Sequence, residues 1–226
     1  MRHPNSARYR GANTGRKIGQ TIYENRGSAN RFHWKLPCTA GYSAVILGDS
    51  QLRSIQPGDV PDIVLARYRG ASSEDIAFIM ANGYGPNINK PGYQHPMSPE
   101  AFSCPKCKTR CFKNTTLIIA LGTNDLMRKR DSGAALHEST EFIQKWAEAN
   151  KMLAVIFADI PNSRYFDTET QEAVKQYRNT IKRRANQAKI PTILQDQQNW
   201  VFEADWVHVT PRCANRSAKN LQRLIP

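Results

Sequence analysis

The tripeptide Gly48-Asp49-Ser50 closes the apolar run Ala44-Val45-Ile46-Leu47 and leads into the polar Gln51-Leu52-Arg53. This order puts a small hydroxyl at the carboxyl end of a buried strand, where a helix begins. Glycine supplies the turn, and a serine at such a junction has its own backbone N–H free to face an anion. Alone, the tripeptide reads first as a capped strand-to-helix turn, because Gly, Asp and Ser are ordinary turn residues. Distant segments reverse that order. In Arg67-Tyr68-Arg69-Gly70-Ala71-Ser72, Gly70 would let a backbone N–H approach a ligand. Gly122-Thr123-Asn124-Asp125 presents a side-chain amide donor, and Asp205-Trp206-Val207-His208 sets a carboxylate and an imidazole three residues apart. A serine, a histidine to deprotonate it, a carboxylate to orient the histidine and several converging donors are the groups that acyl transfer needs. Taken singly, Asn124-Asp125 is also a helix cap and Asp205-x-x-His208 a turn with a surface histidine. Taken together, at the ends of successive strands, the purely structural readings lose ground.

The elements that must position these residues follow from the apolar pattern. Residues 43–47, 61–66, 116–121, 153–158 and 192–194 are short apolar runs, the first four rich enough for strands buried on both faces. Helical periodicity occupies roughly 72–81, 132–150, 169–189 and 212–224. Alternating strands and helices imply a parallel sheet covered on both sides, and such sheets build sites beyond the carboxyl ends of their strands. Those ends are where Ser50, Gly70 and Asn124 fall. At 226 residues the chain has room for one such domain, expected over 41–226.

Charge divides the chain. The net charge is +13, and residues 1–40 contribute +7 of it through eight Lys/Arg, among them Arg8, Arg10, Arg16 and Lys17, against the single acid Glu24. This segment is rich in Asn, Gly and Ser, and reads as a largely flexible basic arm able to bind phosphate backbones, or as a solubilising tail. In the last helix Arg212, Arg216, Lys219 and Arg223 fall on one face, opposite Ala214, Ala218, Leu221 and Ile225. The preceding helix sets Val174, Tyr177, Ile181, Ala185 and Ala188 as its apolar stripe, with Lys175, Arg178, Lys182 and Arg183 outside it. Charged helix faces are commonly just solvated. Two of them with a cationic arm raise RNA or DNA as a partner.

No stretch approaches the roughly 18 apolar residues of a membrane span. The start Met1-Arg2-His3-Pro4-Asn5 has no apolar core behind it, so no secretory signal is expected. Five cysteines, an odd number unevenly spaced, argue against a disulfide framework and for a reducing, intracellular compartment, cytoplasmic or nuclear. Residues 82–114 form a Gly- and Pro-rich insertion carrying Cys104-Pro105-Lys106-Cys107-Lys108-Thr109-Arg110-Cys111. A Cys-x2-Cys pair with a third cysteine begins a structural zinc site; His95 is the expected fourth ligand, with Cys38 or Cys213 as alternatives. Three loop thiols can equally remain thiols. The insertion sits between the second and third runs, where it could also cover the site or shape its pocket.

The four strand-end segments together resemble the SGNH (GDSL-type) hydrolase family. Gly48-Asp49-Ser50 with Leu52 and Arg53 is similar to its first block, and Gly70 stands where the second has its glycine. Gly122-Thr123-Asn124-Asp125 resembles the third block, and Asp205-Trp206-Val207-His208 with Thr210 the last. The resemblance implies a flavodoxin-like three-layer α/β/α sandwich with a five-stranded parallel sheet. It implies Ser50 as nucleophile, His208 as general base and Asp205 as the residue holding His208. The oxyanion hole would be the N–H groups of Ser50 and Gly70 with the Asn124 amide, and no cofactor is required. The expected function is hydrolysis of a small or lipid-like acyl ester. The alternative is a nucleic-acid-binding module on the same fold with secondary or no catalysis. Esterase domains in the first open reading frame of some non-LTR retrotransposons combine both, and the basic arm and cysteine cluster are compatible with them. Trp200, Phe202 and Trp206, near His208, could line an apolar pocket or pack in the core.

Overall fold

A computed structural model of the chain describes residues 20–24, 33–86, 99–127, 132–161, 166–195, 199–204 and 208–226. The apolar runs become β2 (Ala44–Gly48), β3 (Ile63–Tyr68), β4 (Thr116–Ala120), β5 (Ala154–Ala158) and β6 (Thr192–Gln195). They follow β1 (Gln20–Glu24), and all six pair in parallel in the order β1-β3-β2-β4-β5-β6. The five expected strands are thus present, with a sixth added at one edge.

Side chains alternate between the two faces of the sheet, as the two-residue period of a strand requires. Val45, Leu47, Val64, Ala66, Leu117, Ile119, Val155 and Phe157 share one core. It is covered by α1 (Ser73–Asn82), α3 (Ser132–Ala149) and α4 (Thr168–Ala185). Ala44, Ile46, Ile63, Leu65, Ile118 and Ile156 face the other way. There they meet α5 (Pro211–Arg223) and Leu52 of the 3-10 turn Ser50–Ser54. The result is the expected three-layer α/β/α sandwich. A short α2 (Thr123–Met127) follows β4.

Strand order reverses at β2. The chain steps from β2 outward to β3, then returns to place β4 on the other side of β2. The carboxyl ends of β2 and β4 therefore flank the crevice at the topological switch point, the place where open α/β sheets bind ligands.

The expectation of a flexible arm over 1–40 does not hold for its described residues. Gln20–Glu24 pairs with β3. Trp34 is fully buried with its ring centroid 5.5 Å from that of Tyr68, and the Tyr68 hydroxyl donates to the Lys35 carbonyl at 2.8 Å. Leu36 N–H donates to Gly83 O, and Gly85 N–H to Trp34 O. Averaging over forty basic, Gly- and Asn-rich residues hid two local signals, the β-prone Thr21-Ile22-Tyr23 and the apolar Trp34 and Leu36. Arg8, Arg10, Arg16 and Lys17 lie outside the described residues.

The described half of the insertion lies at the amino ends of the strands, away from Ser50. Asn114 N–H donates to Lys151 O just before β5, and Thr39 Oγ1 donates to Cys111 O just before β2. Asn150 holds the loop from below, accepting from Phe102 N–H at 2.8 Å and donating to Glu100 O at 3.3 Å. Phe112 packs edge-on against Trp146. Five-residue strands are about 16 Å long, so these residues cover the opposite pole of the sheet and not the site. Residues 87–98, His95 among them, lie outside the described set.

Candidate active site

Gly48 ends β2 because no side chain fits there. A Cβ would stand 2.4 Å from the Ala120 carbonyl oxygen and 2.6 Å from Leu52. That close approach lets Asp49 N–H donate to Ala120 O at 3.2 Å, tying the tips of β2 and β4. Asp49 then caps the turn Ser50–Ser54, its Oδ1 accepting from Gln51 N–H at 2.9 Å. Ser50 is the first residue of that turn, so its N–H belongs to the set with no partner inside the turn.

His208 reaches Ser50 from the far end of the sequence. Its Nε2 lies 2.9 Å from Ser50 Oγ. The loop bearing it is laced antiparallel, with Glu203 N–H donating to His208 O and Thr210 N–H to Val201 O, both at 2.8 Å. Phe202 and Val209 form the bridge between. Gln51 Oε1 accepts from Val209 N–H at 3.4 Å, and Arg53 forms an ion pair with Glu203. The Ser50 turn and the His208 loop are thereby fastened to each other, not merely adjacent. Asp205, like Trp206, lies outside the described residues.

Gly122 and Gly70 both use backbone that favours glycine, with φ of 118° and 74°. At Gly122 a Cβ would also meet Ile160 at 2.5 Å, whereas beside Gly70 there is open space. Asn124, one turn on, donates from Nδ2 to Asp49 Oδ2 at 3.1 Å and to Ala71 O at 3.0 Å. Both amide hydrogens thus have acceptors, one of them the carboxylate next to Ser50. The neighbouring Asp125 accepts from Ser73 N–H and from Ser73 Oγ at 2.7 Å, which anchors α2 to the start of α1.

Ser50 and His208 are therefore brought into direct contact. Asn124 is bonded to Asp49, the residue before Ser50, and Gly70 stands on the turn after β3. Sequence reasoning missed Gln51 and the Arg53–Glu203 tie, which carry no spacing signal. It also gave Asp49 no part beyond the turn. The structure shows Asp49 fully buried between Gln51 and Asn124, the cross-link between two of the motifs.

Burial sets the electrostatics. Removal from water pushes the Asp49 carboxyl up to about 7, against the opposing bonds from Gln51 and Asn124 and with help from the Asp125 charge. Asp125 rises to about 6, again chiefly through burial. Asp159, at the end of β5, is instead matched by Arg178, which donates from Nε and Nη2 at 2.7 Å each.

Between the turn Ser50–Ser54 and α5 lies a small, largely apolar cavity of about 40 Å³, lined by Gln51, Leu52, Ile55, Ala120, Trp200 and Val209 among others; Ser50 and His208 do not line it. Of the two readings open for the aromatics, Trp200 meets both, lining this cavity and packing with Phe202 on the core of that face. A larger groove of about 570 Å³ between α3 and α4 shares no residue with it and none with the Ser50–His208 pair. At the opposite pole, the Sγ atoms of Cys38, Cys104, Cys107 and Cys111 all lie within 4.8 Å of one another, a set that could hold a metal ion. The expected fourth member was His95; Cys38 takes that place. Cys213 lies on α5, in the core of the other sheet face.

Asp49 has a consequence for stability against pH. Between the ordinary aspartate value of 3.8 and about 7, the unfolded chain has lost this proton while the folded chain keeps it. The native state binds more protons there, so stability falls as pH rises through that window. Urea unfolding at a series of pH values is expected to show a shallower fall for Asp49→Asn than for the wild type. Parallel curves would mean that the folded carboxyl ionises normally.

The sequence matches no protein-family profile and no curated protein. Solved structures do match in shape. TesA aligns with a TM-score of 0.53 at 14% identity, covering 80% of this chain and 96% of that one. A lipase/acylhydrolase from Enterococcus faecalis aligns at 0.50 and 15%, covering 80% and 94%. A member of the lipolytic protein G-D-S-L family from Veillonella parvula aligns at 0.52 and 15%, covering 80% and 96%. No helix among the described residues is long and apolar enough to cross a membrane. The chain has the fold of the GDSL (SGNH) lipolytic hydrolases.

Proposed function

We propose that this protein is a serine esterase that hydrolyses carboxylic esters through an acyl-enzyme. The observation that carries the reading is the 2.9 Å contact between His208 Nε2 and Ser50 Oγ, made by residues 158 positions apart. With its proton on Nδ1, His208 can accept the Ser50 hydroxyl proton as Oγ attacks the ester carbonyl. It then gives that proton to the departing alcohol, and water repeats the sequence in reverse to free the acid. Asp205, three residues before His208, is the carboxylate assigned to hold Nδ1. The tetrahedral oxyanion would be met by the Ser50 and Gly70 N–H groups and by the Asn124 amide, which must then share the hydrogen it gives Asp49. These groups are all the protein's own, so this chemistry calls for no cofactor.

An accessory role in binding nucleic acid rests on a separate observation. Arg212, Arg216, Lys219 and Arg223 are all exposed on α5, while Cys213, Ala214, Ala218 and Leu221 of the same helix are buried. If binding were the main role, as in the retroelement domains that combine both activities, catalysis would be secondary.

On short aryl esters, Ser50→Ala is expected to abolish turnover. Asn124→Ala should lower kcat by on the order of a hundredfold with a smaller change in KM. Turnover by a folded Ser50→Ala variant at the wild-type rate would remove the esterase reading. For nucleic acid, affinity for single-stranded RNA should fall with salt. Replacing the four α5 cations by Gln should flatten log Kd against log salt by roughly 0.7 for each phosphate no longer neutralised. An unchanged slope would clear α5 of any role.

A further inference from the structure

We propose that Cys38, Cys104, Cys107 and Cys111 bind one zinc ion as a four-thiolate structural site. The inference does not depend on the esterase reading, because the site lies at the amino ends of the strands, opposite Ser50. Four thiols drawn from two segments more than sixty residues apart have their sulfur atoms mutually within 4.8 Å. A tetrahedral zinc with Zn–S bonds of about 2.3 Å sets its four sulfurs about 3.8 Å apart, so a small contraction completes the shell. None of the four is in a disulfide. Disulfides would also draw thiols into two pairs, not into one cluster of four.

The backbone is arranged for the ligands. Cys104 N–H donates to Thr109 O at 3.0 Å and Lys108 N–H to Cys104 O at 2.8 Å. Lys108 takes the left-handed conformation with φ of 56°. The chain from 104 to 109 is thereby wrapped into a knuckle that turns both Cys-x2-Cys thiols the same way. Thr39 N–H points at Cys111 Sγ at 3.5 Å, a donor that a thiolate would accept. Four thiolates around a divalent ion leave a net charge of −2, and Lys106, Lys108 and Arg110 stand exposed on the same loop to offset it.

The surrounding fold gives the ion a purpose. Residues 99–115 contain no helix or strand, and Phe102, Phe112 and the thiols Cys104 and Cys111 give this loop its apolar anchorage. Segments of that length without regular structure need another source of order. The Cys38 bond would pin the segment that carries Trp34 and Leu36 to the same point, joining the entry to β2 with the entry to β4. All-thiolate tetrahedral sites select zinc among the abundant divalent ions, with iron as the main competitor.

Full-length protein expressed in zinc-supplemented medium and purified without chelator is expected to contain one zinc per chain by plasma mass spectrometry. Cys38→Ser should lower the bound zinc severalfold, while Cys213→Ser leaves it at one. Should Cys38→Ser fail to fold, exchange of the wild-type ion for cobalt gives a second readout, with intense visible bands and sulfur-to-cobalt charge transfer. Stripping the ion should lower Tm by several degrees. The proposal is overturned by folded protein with less than a tenth of a zinc per chain and four titratable thiols. It is equally overturned by a disulfide among the four, by iron in place of zinc, or by zinc content that survives Cys38→Ser.

Discussion

The site depends on how closely the tips of β2 and β4 approach each other. Gly48 has no Cβ because that atom would overlap the Ala120 carbonyl, and its absence lets Asp49 N–H bond to the same oxygen. From there the geometry propagates in two directions. Asp49 turns the chain so that Ser50 opens a 3-10 helix at the rim, and its second oxygen takes a hydrogen of Asn124 from the tip of β4. An alanine at position 48 would push the two strand ends apart and displace Ser50 and the Asn124 amide together. The switch in strand order between β3, β2 and β4 creates the crevice; the missing methyl group sets its width.

A buried polar layer carries the second part of the arrangement. Asp49 and Asp125 are both withdrawn from water, and each is held by donors from a different strand end. Neither makes an ion pair among the described residues, unlike Asp159 with its Arg178 fork, and burial gives both Asp49 and Asp125 a raised affinity for the proton. Such groups cost stability that an apolar pair would not. What they supply is orientation: Asn124 cannot rotate without abandoning Asp49 or Ala71. The His208 loop is shaped by its own short antiparallel ladder and is tied to the Ser50 turn by the Arg53–Glu203 pair and the Val209–Gln51 bond, so the two halves of the Ser50–His208 contact are held to each other.

Much of this was legible in the sequence, for identifiable reasons. Strands β2 to β5 are buried on both faces, so they read as unbroken apolar runs, and their observed ends lie within two residues of the expected ones. The period of α4 and α5 placed nine residues inward; Val174, Tyr177, Ile181, Ala214, Ala218 and Leu221 are buried, while Ala185, Ala188 and Ile225, at or beyond the helix ends, are only half-buried. Strand β1 was not legible. It is an edge strand in a basic segment, paired among the described residues to β3 alone, so nothing forces a two-sided apolar signature on it. The Cys-x2-Cys knuckle was visible, yet its fourth thiol was not singled out: Cys38 stands sixty-six residues before Cys104, and only the fold brings them together. Gln51 and Glu203 hold the Ser50 turn to the His208 loop through isolated long-range contacts that leave no periodicity to read.

The central claim is that Ser50 is made nucleophilic by His208. The most direct test is reaction of the folded protein with a fluorophosphonate, followed by peptide mass spectrometry to locate the adduct. The account predicts one adduct per chain, on Ser50, with labelling slowed by orders of magnitude in a folded His208→Ala variant. An adduct on another residue, no adduct at all, or equal labelling rates with and without His208 would contradict it.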